Sequence, residues 1–139
     1  MRRMALCGAV VLAAVGPPAA AGDALTKSPV MSHGWEFSEQ GGAELFANVC
    51  GACHQPDAKG AIGAGAYPPL AEDKNLVSTD FVLAVLLGGL KDMPAVGSMM
   101  SDAQVADVVN YVRTHFGNAY PGALSAADVA AARRRTPPP

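Results

Sequence analysis

The chain has 139 residues, a formal charge of −2, three cysteines and 16% charged side chains. That length sets one small domain, and an apolar half excludes a broadly disordered chain. The near-neutral charge excludes the basic excess of a generic nucleic-acid binder. No apolar run reaches the ~18 residues a membrane span needs. Aromatic residues make up 6%, which is thin for a core built on rings.

The chain starts with the pattern of a secretory signal. Arg2 and Arg3 precede an uncharged apolar run from Met4 to Val15; Pro17 and Pro18 end it, and Ala19 to Ala21 supply a small-residue cleavage site. The run is short for a membrane anchor. Cleavage after Ala21 removes Cys7 with the leader. The remaining 118 residues carry two cysteines, and their eight Lys and Arg against twelve acids give −4. The organisation expected is a signal peptide over 1–21, an N-terminal arm over 22–37, a domain over 38–118 and a C-terminal extension over 119–139.

Both remaining cysteines lie in Cys50-Gly51-Ala52-Cys53-His54, a C-x-x-C-H sequence, the attachment signal for c-type haem. Two thiols three residues apart lie on adjacent helical turns. They reach the two vinyl groups on one porphyrin edge as thioethers, and His54 follows under the ring as an iron ligand. A thioredoxin-like pair would follow a strand in a βαβ setting, and the sequence shows no strand pattern. Zinc would need about four ligands, more Cys and His than lie nearby. A bound porphyrin also accounts for the low aromatic content.

A second axial ligand decides what such an iron does. The candidates are Met31, Met93, Met99, Met100, His33 and His115. Met93-Pro94 is preferred, because Pro94 pushes Met93 out of helix and into a loop able to cross the far face of the ring. Met99 is the runner-up. Met100 and Val105 fit a hydrophobic staple. His33 falls in the arm, and His115 sits near a helix C-terminus, where the dipole favours it.

The elements follow in order. Residues 22–37 read as an extended arm whose Trp35 and Phe37 cover the core. Ser38 is expected to cap a helix over 39–50 with Leu45, Phe46 and Val49 on its apolar face. Gly41 and Gly42 leave room for a crossing helix. Residues 55–71 read as loop; its glycines do not fit G-x-G-x-x-G. Pro68 and Pro69 stiffen the segment, and a carbonyl there is placed to accept the second N–H of His54. Ser78 or Thr79 caps a helix from Asp80 to Leu87, apolar all round and so expected to be buried. Ser101 and Gln104 form a capping box for a helix over 102–116 that Gly117 ends. It is expected to cross the first helix at Gly42, with Phe46 and Tyr111 at the contact. Ser125 and Asp128 cap a tail helix over 126–134, with Arg133, Arg134 and Arg135 at its C-terminal end.

Residues 39–118 resemble a class I c-type cytochrome domain. The matching pieces are Gly42-Ala43-Glu44-Leu45-Phe46, Cys50-x-x-Cys53-His54, Tyr67-Pro68-Pro69-Leu70, Met93-Pro94-Ala95 and Val108-Val109-Asn110-Tyr111-Val112-Arg113. The tail from Asn118 to Arg133 is similar to that of cytochrome subunits of periplasmic dehydrogenases. The resemblance implies an all-α, small cytochrome c fold wrapped around one covalent haem c. It implies Cys50 and Cys53 as thioether anchors, His54 as proximal ligand and Met93 as distal ligand. Two departures stand out: Ala58 where a glycine is common, and one haem motif where several such subunits have three.

His/Met ligation leaves no open iron position, so the expected role is a periplasmic single-electron carrier rather than an enzyme. The alternatives are a fixed electron-accepting subunit of a dehydrogenase complex and a five-coordinate haem enzyme or gas sensor. Expected partners are a dehydrogenase donor and a terminal oxidase or another cytochrome as acceptor. Neither nucleic acid nor a membrane span in the mature chain is expected, and the chain acts as a monomer or a complex subunit. Residues 22–132 carry five Lys and Arg against twelve acids, an acidic body beside a basic tail. That body reads as a solvated surface or as one that docks a basic partner face; the alternative is that Lys59, Lys74 and Lys91, in loops near the haem, frame its exposed edge.

Overall fold

The computed structural model describes residues 36–63 and 65–136. The leader, Met31, His33 and Trp35 lie outside these residues. Helix α1 (Gly42–Leu45) runs into a π-helical turn (Phe46–Cys50) and on into α2 (Gly51–His54). A hairpin of two-residue strands follows, β1 (Ala61–Ile62) antiparallel to β2 (Ala66–Tyr67), with Ala61 opposite Tyr67. A 3-10 turn (Lys74–Val77) leads into α3 (Thr79–Gly88). A second 3-10 turn (Val96–Met99) precedes α4 (Asp102–Thr114), and α5 (Ala126–Arg135) closes the described chain.

The frame is the crossing of α1 and α4. A Cβ on Gly42 would lie 2.3 Å from the Asp107 carbonyl oxygen and 2.4 Å from Tyr111 Cβ, so only glycine allows this approach. Phe46 fills the angle, its ring centroid 5.9 Å from Tyr111 and 4.5 Å from Phe116. The expected crossing point and its two aromatic partners are those observed. Val105, Val108, Val109 and Val112 bury the α4 face against Leu45 and Phe46. Valine is a poor helix former, so this packing and the cap hold the helix. The cap is the expected box: Ser101 Oγ accepts from Gln104 N, and Gln104 Oε1 accepts from Ser101 N at 2.9 Å.

Several elements differ from the sequence expectations. The first helix starts at Gly42 rather than 39, and its N-cap is Gly41 at φ +79°, not Ser38. Its helical course continues past 50 to His54. The loop over 55–71 holds the short hairpin. Strands of two residues are too short to leave a periodic trace. Helix α4 stops at Thr114 because Phe116 and Gly117 both take positive φ, at +56° and +81°. Helix α3 buries Leu83, Leu86 and Leu87 but exposes Phe81 and Ala84, so it is not covered all round.

The basic tail is not a free extension. Helix α5 buries Val129 and Ala132, its capping box is Ser125 with Asp128, and Arg133 and Arg135 reach Asp102 and Asp80. Arg113 is buried in α4 and donates only to carbonyls, from Nε to Leu76 at 2.9 Å, from one terminal nitrogen to Pro121 at 2.8 Å, and from the other to Gly122. It ties α4, the first 3-10 turn and the segment before α5 together. No helix among the described residues is long and apolar enough to cross a membrane.

Candidate haem-binding site

The helix reaches Cys50 through its π turn. The Gly51 N–H donates to the Phe46 carbonyl, five residues back, where an α-helix would use four. A Cβ on the buried Gly51 would sit 3.3 Å from that oxygen, so the small residue between the cysteines keeps the wide turn open. Cys50 is half-buried and Cys53 exposed, both as thiols. Burial pushes the Cys50 thiol up to about 11, with the charge on Cys53 adding to it.

His54 ends α2 and is buried. Its Nδ1 lies 2.9 Å from the Pro68 carbonyl oxygen, the acceptor expected from sequence. A carbonyl only accepts, so Nδ1 carries the proton and Nε2 is the nitrogen left for a metal. The same bond fixes the ring's orientation and raises its basicity. The Pro68 segment is held in turn. Gly60 N donates to the His54 carbonyl at 2.9 Å, and Leu70 N and Ala71 N donate to the Ala58 carbonyl at 2.8 and 2.9 Å. A Cβ on Gly60 would lie 2.2 Å from the Tyr67 carbonyl oxygen. Ala58, the departure from glycine, is fully buried at φ +59°; its methyl gains burial where its backbone is strained.

Sequence reasoning missed Asn118. It is buried, and its Nδ2 donates to the carbonyls of Leu70 and Val112, both at 2.8 Å, while Oδ1 accepts from Asp73 N at 3.1 Å. Tyr120 adds a bond from its hydroxyl to the Asp73 carbonyl at 3.1 Å. These two residues clamp the segment that follows Pro68 to the end of α4. The only trace in sequence is an asparagine just past Gly117, which reads as an ordinary turn residue.

Met93 sits half-buried at a tight turn. Leu90 and Met93 exchange both backbone hydrogen bonds at 3.0 Å, with Lys91 at φ +54° in the turn. Gly89, at φ +77°, has the Met93 carbonyl oxygen 2.9 Å from where a Cβ would stand. The other candidates are placed differently. Met100 is buried in the core with Val105, as the staple requires. Met99 gives its carbonyl to Phe37 N at 3.0 Å, which seats Phe37 against the core. His115 stacks on Tyr111 at 3.9 Å and its Nδ1 bonds the Tyr111 carbonyl at 2.8 Å.

The residues suit a haem. Two thiols and an oriented imidazole share one helix end, and a thioether lies in a pinned turn, a donor set that fits haem iron. Among the described residues no cluster of three or more His, Cys, Asp or Glu offers a bare ion a site. Large apolar side chains stand uncovered beside these segments: Tyr67 next to Pro68 is 44% exposed, and Leu90, paired with Met93, is 49% exposed. This is apolar surface of the kind a macrocycle takes up.

Comparison with known proteins agrees. A family model described as cytochrome C oxidase, cbb3-type, subunit III matches residues 38–112. The cytochrome c subunit of the quinone alcohol dehydrogenase of Gluconacetobacter polyoxogenes is 36% identical over 101 residues, covering 63% of this chain and 21% of that protein. The gluconate 2-dehydrogenase cytochrome c subunit of Pantoea cypripedii is 35% identical over 109 residues, 68% of this chain and 24% of its own. The fructose dehydrogenase cytochrome subunit of Gluconobacter japonicus is 36% identical over 93 residues, 56% and 19%. The chain thus spans about a fifth of the length of these relatives. With the family match running over more than half of its length and haem c as that family's cofactor, the chain belongs to the c-type cytochromes, in the family described as cytochrome c oxidase, cbb3-type, subunit III.

Proposed function

We propose that this chain is an exported single-electron carrier of the periplasm, holding one haem c through Cys50 and Cys53 with His54 and Met93 as axial ligands. The observation that carries the reading is the His54 Nδ1 bond to Pro68 at 2.9 Å, which leaves Nε2 for iron on the helix that bears both thiols. When bound, haem c supplies a one-electron couple at its iron.

The protein's part is to hold both axial donors still. His54 is fixed from behind by Pro68, and Pro68 by the bonds at Ala58, Gly60 and Asn118. Met93 is fixed by its exchange with Leu90 and by Pro94, which denies it a helical conformation. A haem iron held by both donors would have no open position for oxygen or peroxide, and the pinned backbone at His54 and Met93 would keep their movement small on a change of oxidation state. Both properties favour outer-sphere electron transfer over catalysis at the iron.

The relatives' names support a second reading, a fixed electron-accepting subunit beside a periplasmic dehydrogenase of the alcohol, gluconate or fructose type. The acceptor in either case is a terminal oxidase or another cytochrome. The acidic residues outside the tail suit a basic partner face, and the on-rate then falls as salt rises. Co-purification of a large partner at moderate salt selects the subunit; a salt-dependent second-order rate without co-purification selects the free shuttle.

The test of the site is spectroscopic. The ferric protein is expected to show the near-infrared charge-transfer band of a Met–iron bond, and Met93→Ala to lose it. A haem-to-chain ratio of one, with Cys50 and Cys53 both alkylation-resistant, is expected from the purified protein. A missing band in the parent turns the reading to the five-coordinate enzyme or sensor; its survival in Met93→Ala moves the distal ligand to another methionine, Met99 first.

A further inference from the structure

Helix α5 lies beyond the residues matched by the family model, and its last turn carries three arginines. Their positions differ. Arg134 and Arg135 are exposed, and Arg135 approaches Asp80 at 3.6 Å where that carboxylate is almost fully solvated. Such a pair contributes little. Arg133 instead turns inward. Its Nε donates to Asp102 Oδ1 at 2.9 Å, one terminal nitrogen to the Gly97 carbonyl at 3.1 Å and the other to the Met100 carbonyl at 3.1 Å.

Those two carbonyls belong to the 3-10 turn Val96–Met99 and the residue that caps it. The turn follows directly on Met93-Pro94 and is joined to it by Val96 N donating to the Pro94 carbonyl at 2.8 Å. On its inner side it is seated against α3, where a Cβ on Gly97 would lie 2.8 Å from the Leu86 carbonyl oxygen. On its outer side Arg133 holds it. Helix α5 can bear that load because Val129 and Ala132 are buried in the core and Ser125 with Asp128 closes its first turn. The planar guanidinium is suited to this work: three donors in fixed directions meet three acceptors, which an ammonium on a flexible stem does not reproduce.

We propose that Arg133 is a positioning residue for the distal ligand: α5 acts as a latch whose guanidinium fixes the 96–100 turn and so keeps Met93 in place. The inference rests on the reading of Met93 as the distal iron ligand. Loosening the latch lets Met93 leave the iron more often while the rest of the fold stays closed.

Imidazole binding to the ferric holoprotein reads this directly, because its rate is limited by departure of the methionine. Arg133→Ala and Arg133→Lys are expected to raise that rate by about tenfold or more, the factor that corresponds to about 1.4 kcal/mol. Amide exchange at Ser98 and Met100 is expected to accelerate with it, while Arg134→Ala and Arg135→Ala match the parent in both. Should Arg133→Ala fail to fold, the Lys variant and the exchange measurement carry the test. A parent band that Met93→Ala abolishes, together with unchanged imidazole rates and exchange in Arg133→Lys, overturns the latch alone. A band that Met93→Ala leaves intact overturns the ligand assignment, and the latch with it.

Discussion

The imidazole of His54 and the carbonyl of Pro68, fourteen residues apart, meet at 2.9 Å. The acceptor is a backbone oxygen, so no side-chain change at Pro68 removes it; what the two prolines supply is stiffness. Replacing both Pro68 and Pro69 by alanine is expected to weaken the bond without deleting it. Such a bond is worth about 0.5–1.5 kcal/mol, so its weakening, felt more in the ferric state, raises a one-electron potential by at most roughly 20–65 mV. Redox titration of the variant checks this; an unchanged potential and haem-retention time remove the role.

Gly42→Ala is expected to be the most damaging single methyl in the frame. The added carbon would fall 2.3 Å from the Asp107 carbonyl oxygen, backbone on a packed helix that has no room to yield. A cost of about 3 kcal/mol or more follows from forced separation of α1 and α4. Denaturant unfolding of the holoprotein, followed by helical ellipticity, measures it.

Arg113→Lys separates charge from geometry. The guanidinium is 3% exposed and satisfies three carbonyls, at Leu76, Pro121 and Gly122. An ammonium keeps the cation but not three fixed directions, leaving buried acceptors unpaired. A loss of about 2–3 kcal/mol is expected. Arg113→Met, which removes the charge and every donor, is expected to lose at least as much in the same unfolding measurement.

Asp128 gives α5 a pH dependence. Hydrogen bonds from the Ser125 hydroxyl and backbone hold its carboxyl below the ordinary value of 3.8. Its contribution to the cap is therefore complete above that value and is lost as pH falls through the lowered one. In acid titrations followed by amide shifts, α5 is expected to fray from Ser125 onward below about pH 4. In Asp128→Asn the first turn is expected to show no such step.

What the sequence conveyed and what it concealed divide along physical lines. The α1–α4 crossing was legible because Gly42, Phe46 and Tyr111 each report a local constraint: absence of a side chain, or one large ring at helical spacing. The boxes at Ser101 and Ser125 were legible because a cap is a contact within four residues. The Pro68 carbonyl was legible from stiffness alone. Asn118 was not, since its partners at Leu70 and Asp73 lie more than forty residues away. Arg133 offered only its place at a helix end, where any cation is favoured; that it reaches Gly97 and Asp102 depends on how α5 packs. The positive φ of Phe116, which stops α4 early, runs against the residue's own preference and is imposed by tertiary contact.

The π turn at Phe46–Cys50 has one more consequence. Such a turn is what a helix becomes when it accommodates a single extra residue. Deleting one, at exposed Ala47, would close it to α geometry with the Phe46 carbonyl still paired to the Gly51 N–H, now four residues on. The crossing at Gly42 and the azimuth of Cys53 and His54 would both survive, whereas the same deletion in an unbroken α-helix would turn everything downstream by about 100°. The wide turn thus takes up one extra residue while the attachment motif keeps its bearing on the packed helix that carries it.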